Sequence, residues 1–208
     1  MPATKGQNTR RVIVEKAAPL FNKKGFEGTS LSDLMDATGL KKGGIYRHFS
    51  SKEELATTAF DYSWGRAVEG RLGGVTDIPD CVDRLAKMID NFVDVRSGLV
   101  PGGCPLMNTA VEADDGNVLL RARALKALHG WTERLTNIVV EGIGKEQIHA
   151  SVDPRKLAQH IIASLEGALL LSRLRNNKEA LHEMRTYLNH WLEQSVRTKA
   201  TPPKRPKR

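Results

Sequence analysis

The chain has 208 residues, 32 Lys/Arg against 24 Asp/Glu for a formal net charge of +8, and only two cysteines. That length allows one or two domains with real cores, while two cysteines exclude a disulfide framework. The most apolar stretch, residues 161–172, is broken by Glu166 and too short to span a bilayer, so no membrane association is expected.

The N-terminal Met-Pro-Ala-Thr-Lys-Gly-Gln-Asn has no apolar h-region, which reads as a cytoplasmic protein rather than a secreted one. A first helix is expected over residues 9–24, burying Ile13, Ala17, Leu20 and Phe21 at i, i+4, i+7 and i+8. Pro19 inside it deletes one backbone hydrogen bond, and Gly25 closes it. Residues 29–52 then read as two short helices joined by a tight turn. Ser30 and Asp33 have capping-box spacing, which starts a helix just before Leu31, and Leu31, Leu34 and Met35 form its apolar stripe. Gly39 ends it. Ile45 and Phe49, four apart, mark the buried stripe of the second helix, so Lys42, Tyr46 and Arg47 must point away. This is the layout of a helix-turn-helix, whose second helix enters a DNA major groove.

Ser51-x-x-Glu54 is a second capping box, opening a fourth helix that runs to about residue 72. Gly73-Gly74 and Pro79 mark a break. Beyond it helices are expected over residues 80–96, with Leu85, Met88, Ile89 and Phe92 on one face, and over 104–113 after a Gly- and Pro-containing loop at 97–103. Asp114 to Asn117 forms a turn, and residues 118–142 a long helix with Leu128, Trp131, Leu135, Ile138 and Val139 as its apolar face. Pro154 at a first helical position opens a helix reaching about residue 176, and a last helix covers 178–196. The class is all-α, about nine helices: a DNA-binding head at 1–52 linked through a helix at 53–72, a larger ligand-binding and dimerisation domain at 73–196, and a disordered basic tail at 197–208.

Charge is segregated. Residues 1–52 hold ten Lys/Arg and four Asp/Glu, and residues 197–208 hold six basic and no acidic residues, whereas the stretch between carries a net −4. A basic head on an acidic body suits a dedicated nucleic-acid face better than a general polyanion binder.

The run Ala17-Ala18-Pro19-Leu20-Phe21, then Gly25-Phe26, Thr29-Ser30-Leu31, Gly39-Leu40, Ile45-Tyr46-Arg47-His48-Phe49 and Ser51-Lys52-Glu53-Glu54-Leu55 resembles the DNA-binding domain of the TetR/AcrR family of bacterial transcriptional regulators. The resemblance covers roughly residues 8–60; beyond it only helical character and length agree. It implies an all-helical homodimer, usually a repressor, that binds a palindromic operator in double-stranded DNA and is released by a small-molecule inducer. It also implies phosphate contacts for Tyr46, His48 and Lys52, His48 having packing as its other reading. Lys41, Lys42 and Arg47 are candidates for base edges or nearby phosphates, Arg47 being able to grip a guanine bidentately. Ser30 and Ser32, at the start of the first motif helix, can meet phosphate, with capping an equal role for Ser30. Gly43 and Gly44 depart from the common family pattern, which has Ser or Thr at the second position; they remove side chains that would hold the backbone off the bases.

The resemblance implies an inducer pocket among the middle helices, lined by Trp64, Met88, Phe92, Cys104, Leu106, Met107 and Trp131, with core packing as the other reading of these aromatics and methionines. Cys104 looks like a similarly placed cysteine in electrophile- and aldehyde-sensing members of the family, and a helix N-terminus favours a thiolate; a small buried hydrophobe is its other reading. The last two helices carry 3-4-3-4 stripes that can cover each other in one intramolecular core, but further apolar positions lie off them, and the family resemblance implies a dimer interface, through Leu165, Ala168, Leu169, Leu181, Met184, Leu188, Trp191 and Leu192. The small residues around Gly167 allow close approach.

An enzyme finds little support. There is no Gly-x-Ser-x-Gly elbow and no P-loop, and His182-Glu183-Met184-Arg185-Thr186 has threonine where a zinc-protease motif needs its second histidine. No metal or cofactor is expected. A non-specific nucleic-acid-binding protein would explain the basic ends but not the acidic helical body.

Overall fold

Thr4 starts the first helix well before its apolar stripe begins. Its hydroxyl accepts the amide of Gln7 at 3.3 Å while the Gln7 side chain accepts the amide of Thr4 at 2.9 Å, a complete capping box. Helix α1 is therefore Lys5–Lys24, longer than the expected 9–24, because its first two turns are exposed and show no periodicity. A computed structural model describes residues 4–94, 100–114 and 116–198. After α1 come α2 (Leu31–Thr38), α3 (Lys42–Tyr46), α4 (Lys52–Leu72), α5 (Cys81–Asp94), α6 (Pro105–Ala113), α7 (Val118–Gly144), α8 (Pro154–Arg175) and α9 (Glu179–Trp191), closed by a π-helical segment, Leu192–Val196. The regular elements of the described residues are all helical.

The described residues group into two compact units. One comprises those up to Gly73 together with Asp94 to Trp131; the other comprises Gly74–Val93 together with those from Thr132 onward. The chain passes between them after Gly73, after Val93 and within α7, whereas the sequence suggests a cut at residue 73 alone.

In the first unit Ile13, Val14 and Ala17 of α1 pack with Leu34, Ile45, Phe49 and Leu55. Gly39 ends α2 in the left-handed conformation, φ 71°, with its amide on the Met35 carbonyl at 2.8 Å. Helix α3 is only five residues long, so Phe49 is buried from the turn that follows it. Two adjacent glycines, each costing about 1 kcal/mol in helix propensity, account for the brevity. Ser51 caps α4 through the Glu54 amide at 3.2 Å, but the Glu54 carboxylate turns to the Ser50 amide and hydroxyl, at 2.7 and 2.8 Å, rather than closing a box on Ser51. On the first half of α7 the buried seam runs through Leu120, Ala124, Ala127 and Trp131, leaving Leu128 exposed, against expectation.

In the second unit Asp153 caps α8 through the amides of Arg155 and Lys156. The buried Ser172 hydroxyl accepts the Leu181 amide at 3.2 Å across the α8–α9 turn. The expected helix 178–196 instead divides, its last turn widening until Arg197 donates to the Leu192 carbonyl at 2.8 Å. Arg197 and Thr198, read from sequence as part of a disordered tail, are held. Arg197 pairs with Asp80 at 2.9 Å, with Glu193 at 2.8 Å and with Asp83, and the Thr198 amide donates to the Gln147 carbonyl at 2.9 Å. Residues 199–208, and part of the expected loop at 97–103, lie outside the described residues.

Candidate nucleic-acid interface

Burial of Ile45 and Phe49, each 1% exposed, forces the rest of the α3 segment outward. Lys41, the residue preceding α3, and Lys42, Gly43, Tyr46 and Arg47 are exposed, while Gly44 and His48 are half-buried. The Lys42 ammonium lies 6.0 Å from the Tyr46 ring centroid, so cation and phenol share one face. Arg47 occupies the C-cap position rather than the helix body. A Cβ on Gly43 would meet nothing, and one on Gly44 would touch only Leu40 at 3.4 Å. Nothing within the chain requires glycine there.

Ser32 is exposed on the first turn of α2. The Ser30 hydroxyl is engaged in capping: it accepts the Asp33 amide at 3.1 Å and donates to the Asp33 carboxylate at 2.8 Å. Lys24 sits 2.6 Å from the other Asp33 oxygen. The Lys24 contact first, then the Ser30 amide and hydroxyl, bring the Asp33 pKa down to about 2. Lys52 opens α4, half-buried, with its ammonium 4.3 Å from the Phe26 ring centroid. Arg10 lies over the Phe49 ring at 4.4 Å and reaches Glu54 at 3.1 Å. Hydrogen bonds from Ser50 and then Arg10 lower the Glu54 pKa. Arg10 was not singled out in the sequence, since its partners lie some forty residues away.

The residues expected to line a pocket do not all belong to one unit. Met88 and Phe92 lie in the second, whereas Trp64, Cys104, Leu106, Met107 and Trp131 lie in the first. There Trp64 and Trp131 meet edge to face, 6.2 Å apart, with the Arg71 guanidinium 5.2 and 5.4 Å from the two rings. Arg71 is 3% exposed and donates to the Cys104 sulfur at 3.2 Å. Nothing in the sequence marks Arg71, because a cation in the last turn of a helix ordinarily serves the helix dipole at the surface. A cleft in this unit, lined by Phe21, Asn22, Phe60, Thr109, Glu112 and their neighbours, contains none of the expected pocket residues.

Of the residues expected at the dimer interface, Leu165, Ala168, Leu181, Leu188 and Leu192 are 5, 2, 4, 0 and 0% exposed, covered within the single chain. Leu169, Met184 and Trp191 are half-buried. Outward-facing apolar surface comes instead from Leu170, Leu171, Leu174 and Tyr187. One groove is lined by Gly167, Leu171, Met184 and Tyr187 among others, and a second by Leu157, His160 and Trp191; both follow the same faces of α8 and α9. His182 is exposed, and its carbonyl accepts the Thr186 hydroxyl at 3.0 Å, so the near-zinc motif is an ordinary helix turn. Among the described residues no helix is long and apolar enough to cross a membrane.

Comparison with known proteins agrees with this architecture. The family model described as "Bacterial regulatory proteins, tetR family" matches residues 13–58, and "Tetracyclin repressor-like, C-terminal domain" matches residues 81–188. A TetR transcriptional regulator from Chloroflexus aurantiacus J-10-FL is 43% identical, with a TM-score of 0.89 covering 94% of this chain and 99% of that one. A TetR-family regulator from Cytophaga hutchinsonii is 35% identical, with a TM-score of 0.89 covering 96% and 100%. The transcriptional repressor DhaR of Mycobacterium sp. (strain GP1) is 27% identical, over 85% of this chain and 88% of its own length.

Proposed function

Because the chain belongs to the TetR family of bacterial transcriptional regulators, we propose that it is a homodimeric repressor that binds a palindromic operator and is released by a small-molecule inducer. The observation that carries this reading is the exposed set Lys41, Lys42, Tyr46 and Arg47 on a short helix anchored by Ile45 and Phe49. Lys52 and the backbone amides at the start of α4 take phosphate, and Arg47 reads a base edge. Ser32 and His48 add phosphate contacts, while Ser30 contributes chiefly as the cap of α2. Gly43 and Gly44 let the backbone approach the bases, so alanine at both weakens operator binding.

The outward grooves of α8 and α9 suit a second copy of the chain, since they are continuous in direction and mainly apolar, and the one around Gly167 is rich in small residues. Two heads on a two-fold axis reach successive major grooves about 34–36 Å apart, which requires a palindrome. The name of DhaR as a repressor supports the sign of regulation. The test is fluorescence anisotropy on a palindromic duplex recovered from a random pool: binding that survives an excess of bulk genomic DNA supports a regulator, and binding lost to that competitor contradicts it.

A second reading is favoured by the buried Arg71–Cys104 contact, because a guanidinium hydrogen-bonded to sulfur stabilises the thiolate. Cys104 then acts as an electrophile or redox switch. Both thiols are buried, and Cys81, whose pKa that burial pushes up, is the internal control. Iodoacetamide that releases operator from the wild type but not from Cys104→Ser supports the switch; release from both variants alike removes Cys104 from it. The basic residues beyond Arg197 are proposed to add salt-sensitive, sequence-independent attraction to DNA.

A further inference from the structure

Three polar residues of α6 and its cap fall at i, i+4 and i+8, which places Cys104, Asn108 and Glu112 along one face. Asn108 and Glu112 are tied to the end of α1. The Asn108 amide group donates to the Asn22 carbonyl at 2.9 Å, to the Asn22 side-chain oxygen at 3.0 Å and to the Gly102 carbonyl at 2.9 Å. Asn22, 9% exposed, spends its own amide hydrogens on the carbonyls of Val100, Pro101 and Gly103 at 3.1–3.2 Å. One turn further along, Glu112 accepts the backbone amide of Glu27 at 3.0 Å.

Glu27 lies in the turn that launches the helix-turn-helix. Gly25 has φ 76°, and a Cβ there would lie 2.4 Å from the Glu112 carboxylate, so the glycine permits both the turn and the close approach. The Gly25 carbonyl accepts the buried Thr29 hydroxyl at 2.6 Å, and Ser30 follows as the cap of α2. Hydrogen bonds thus tie α6 to turn 25–29 and brace that turn, and the backbone continues from Thr29 into the cap of α2, all within one compact unit.

We propose that Asn22, Asn108 and Glu112 are positioning residues for operator binding: α6 holds turn 25–29, and through it sets the entry of α2 and the placement of α3. None of them touches DNA. The proposal rests on the operator-binding reading. It goes beyond that reading by assigning part of operator affinity to a helix more than fifty residues downstream of the motif.

The decisive comparison is Glu112→Ala with Glu112→Gln, on the full-length protein at a temperature where circular dichroism reports both as folded. Glutamine keeps a side-chain oxygen to accept the Glu27 amide, and alanine removes it. On the palindromic duplex recovered with the wild type, Glu112→Ala is expected to bind on the order of tenfold more weakly, with Glu112→Gln restored to near wild type. Affinity for random-sequence duplex stays unchanged for both, since phosphate attraction does not depend on motif placement. In the DNA-free protein, hydrogen exchange at the Glu27 amide accelerates in the alanine variant only. Unchanged operator affinity in Glu112→Ala, equal loss on operator and random duplex, or failure of glutamine to restore binding each overturns the proposal. A wild type that recovers no palindrome is a different failure, that of the regulator reading itself, and it is visible before any variant is made.

Discussion

Segment α2–α3 and layer α8–α9 hide their cores in opposite ways. Each helix of the first has one apolar stripe: Leu34, Ile45 and Phe49 are buried, Leu31, Met35 and Leu40 pack against that core, and Ser32, Lys42, Tyr46 and Arg47 are exposed. Each helix of the second has two. Leu165, Leu188 and Leu192 are consumed inside the chain, while Leu171, Leu174 and Tyr187 stay outside. A single stripe fixes orientation from sequence alone; a double stripe leaves open which face is core and which is interface.

The largest expected effect probes that ambiguity. Leu188→Ala should destabilise the fold by about 2–5 kcal/mol, seen as a lower Tm, because it empties a fully buried site. Leu171→Glu, on the outward face, should leave the helical circular dichroism spectrum unchanged and convert dimer to monomer in light scattering. If the two variants exchanged behaviours, the assignment of faces would be reversed. On the other segment, Arg47→Ala should cost about 1–3 kcal/mol of operator affinity and relax preference at one base position, leaving Tm unmoved. Ser30→Ala should lower stability by about 1 kcal/mol through loss of the cap.

The smallest effect is a pH dependence. The Lys24 contact first, then Ser30, hold Asp33 down to a pKa of about 2, so the stabilisation it brings is complete above the ordinary carboxylate range near 4. It disappears as pH falls through 2. The Tm gap between wild type and Asp33→Asn should accordingly be constant at neutral pH and close between about pH 4 and pH 2. A gap that persists at the acid end would mean Asp33 acts through something other than its charge.

Legibility followed the same contrast. The Ser30–Asp33 box and Gly39 are local signals found where the sequence places them, and Ile45 and Phe49 are both buried, although Phe49 lies past the end of α3. The start of α1 was missed because Thr4 and Gln7 cap a polar turn that has no periodicity to announce it. The π-helical close of α9 has no local signal, and Arg197, the residue just past it, pairs with Asp80 and Asp83 more than a hundred positions away. Arg71 and Asn22 were unreadable for the same reason. A buried cation between two indoles and a buried amide among loop carbonyls are created by tertiary packing, and each reads in sequence as a surface residue near a helix end.

The central claim is that the exposed side chains of α3 read DNA as a symmetric pair. Its most direct test is selection of random duplexes by the wild type and by Arg47→Ala, followed by sequencing of what each retains. The wild type should enrich an inverted repeat with half-sites about one helical turn apart, and the variant should retain that spacing with one position in each half-site relaxed. Enrichment of unrelated sequences by the wild type, or an identical motif from both proteins, would contradict the assignment of base reading to α3 and Arg47.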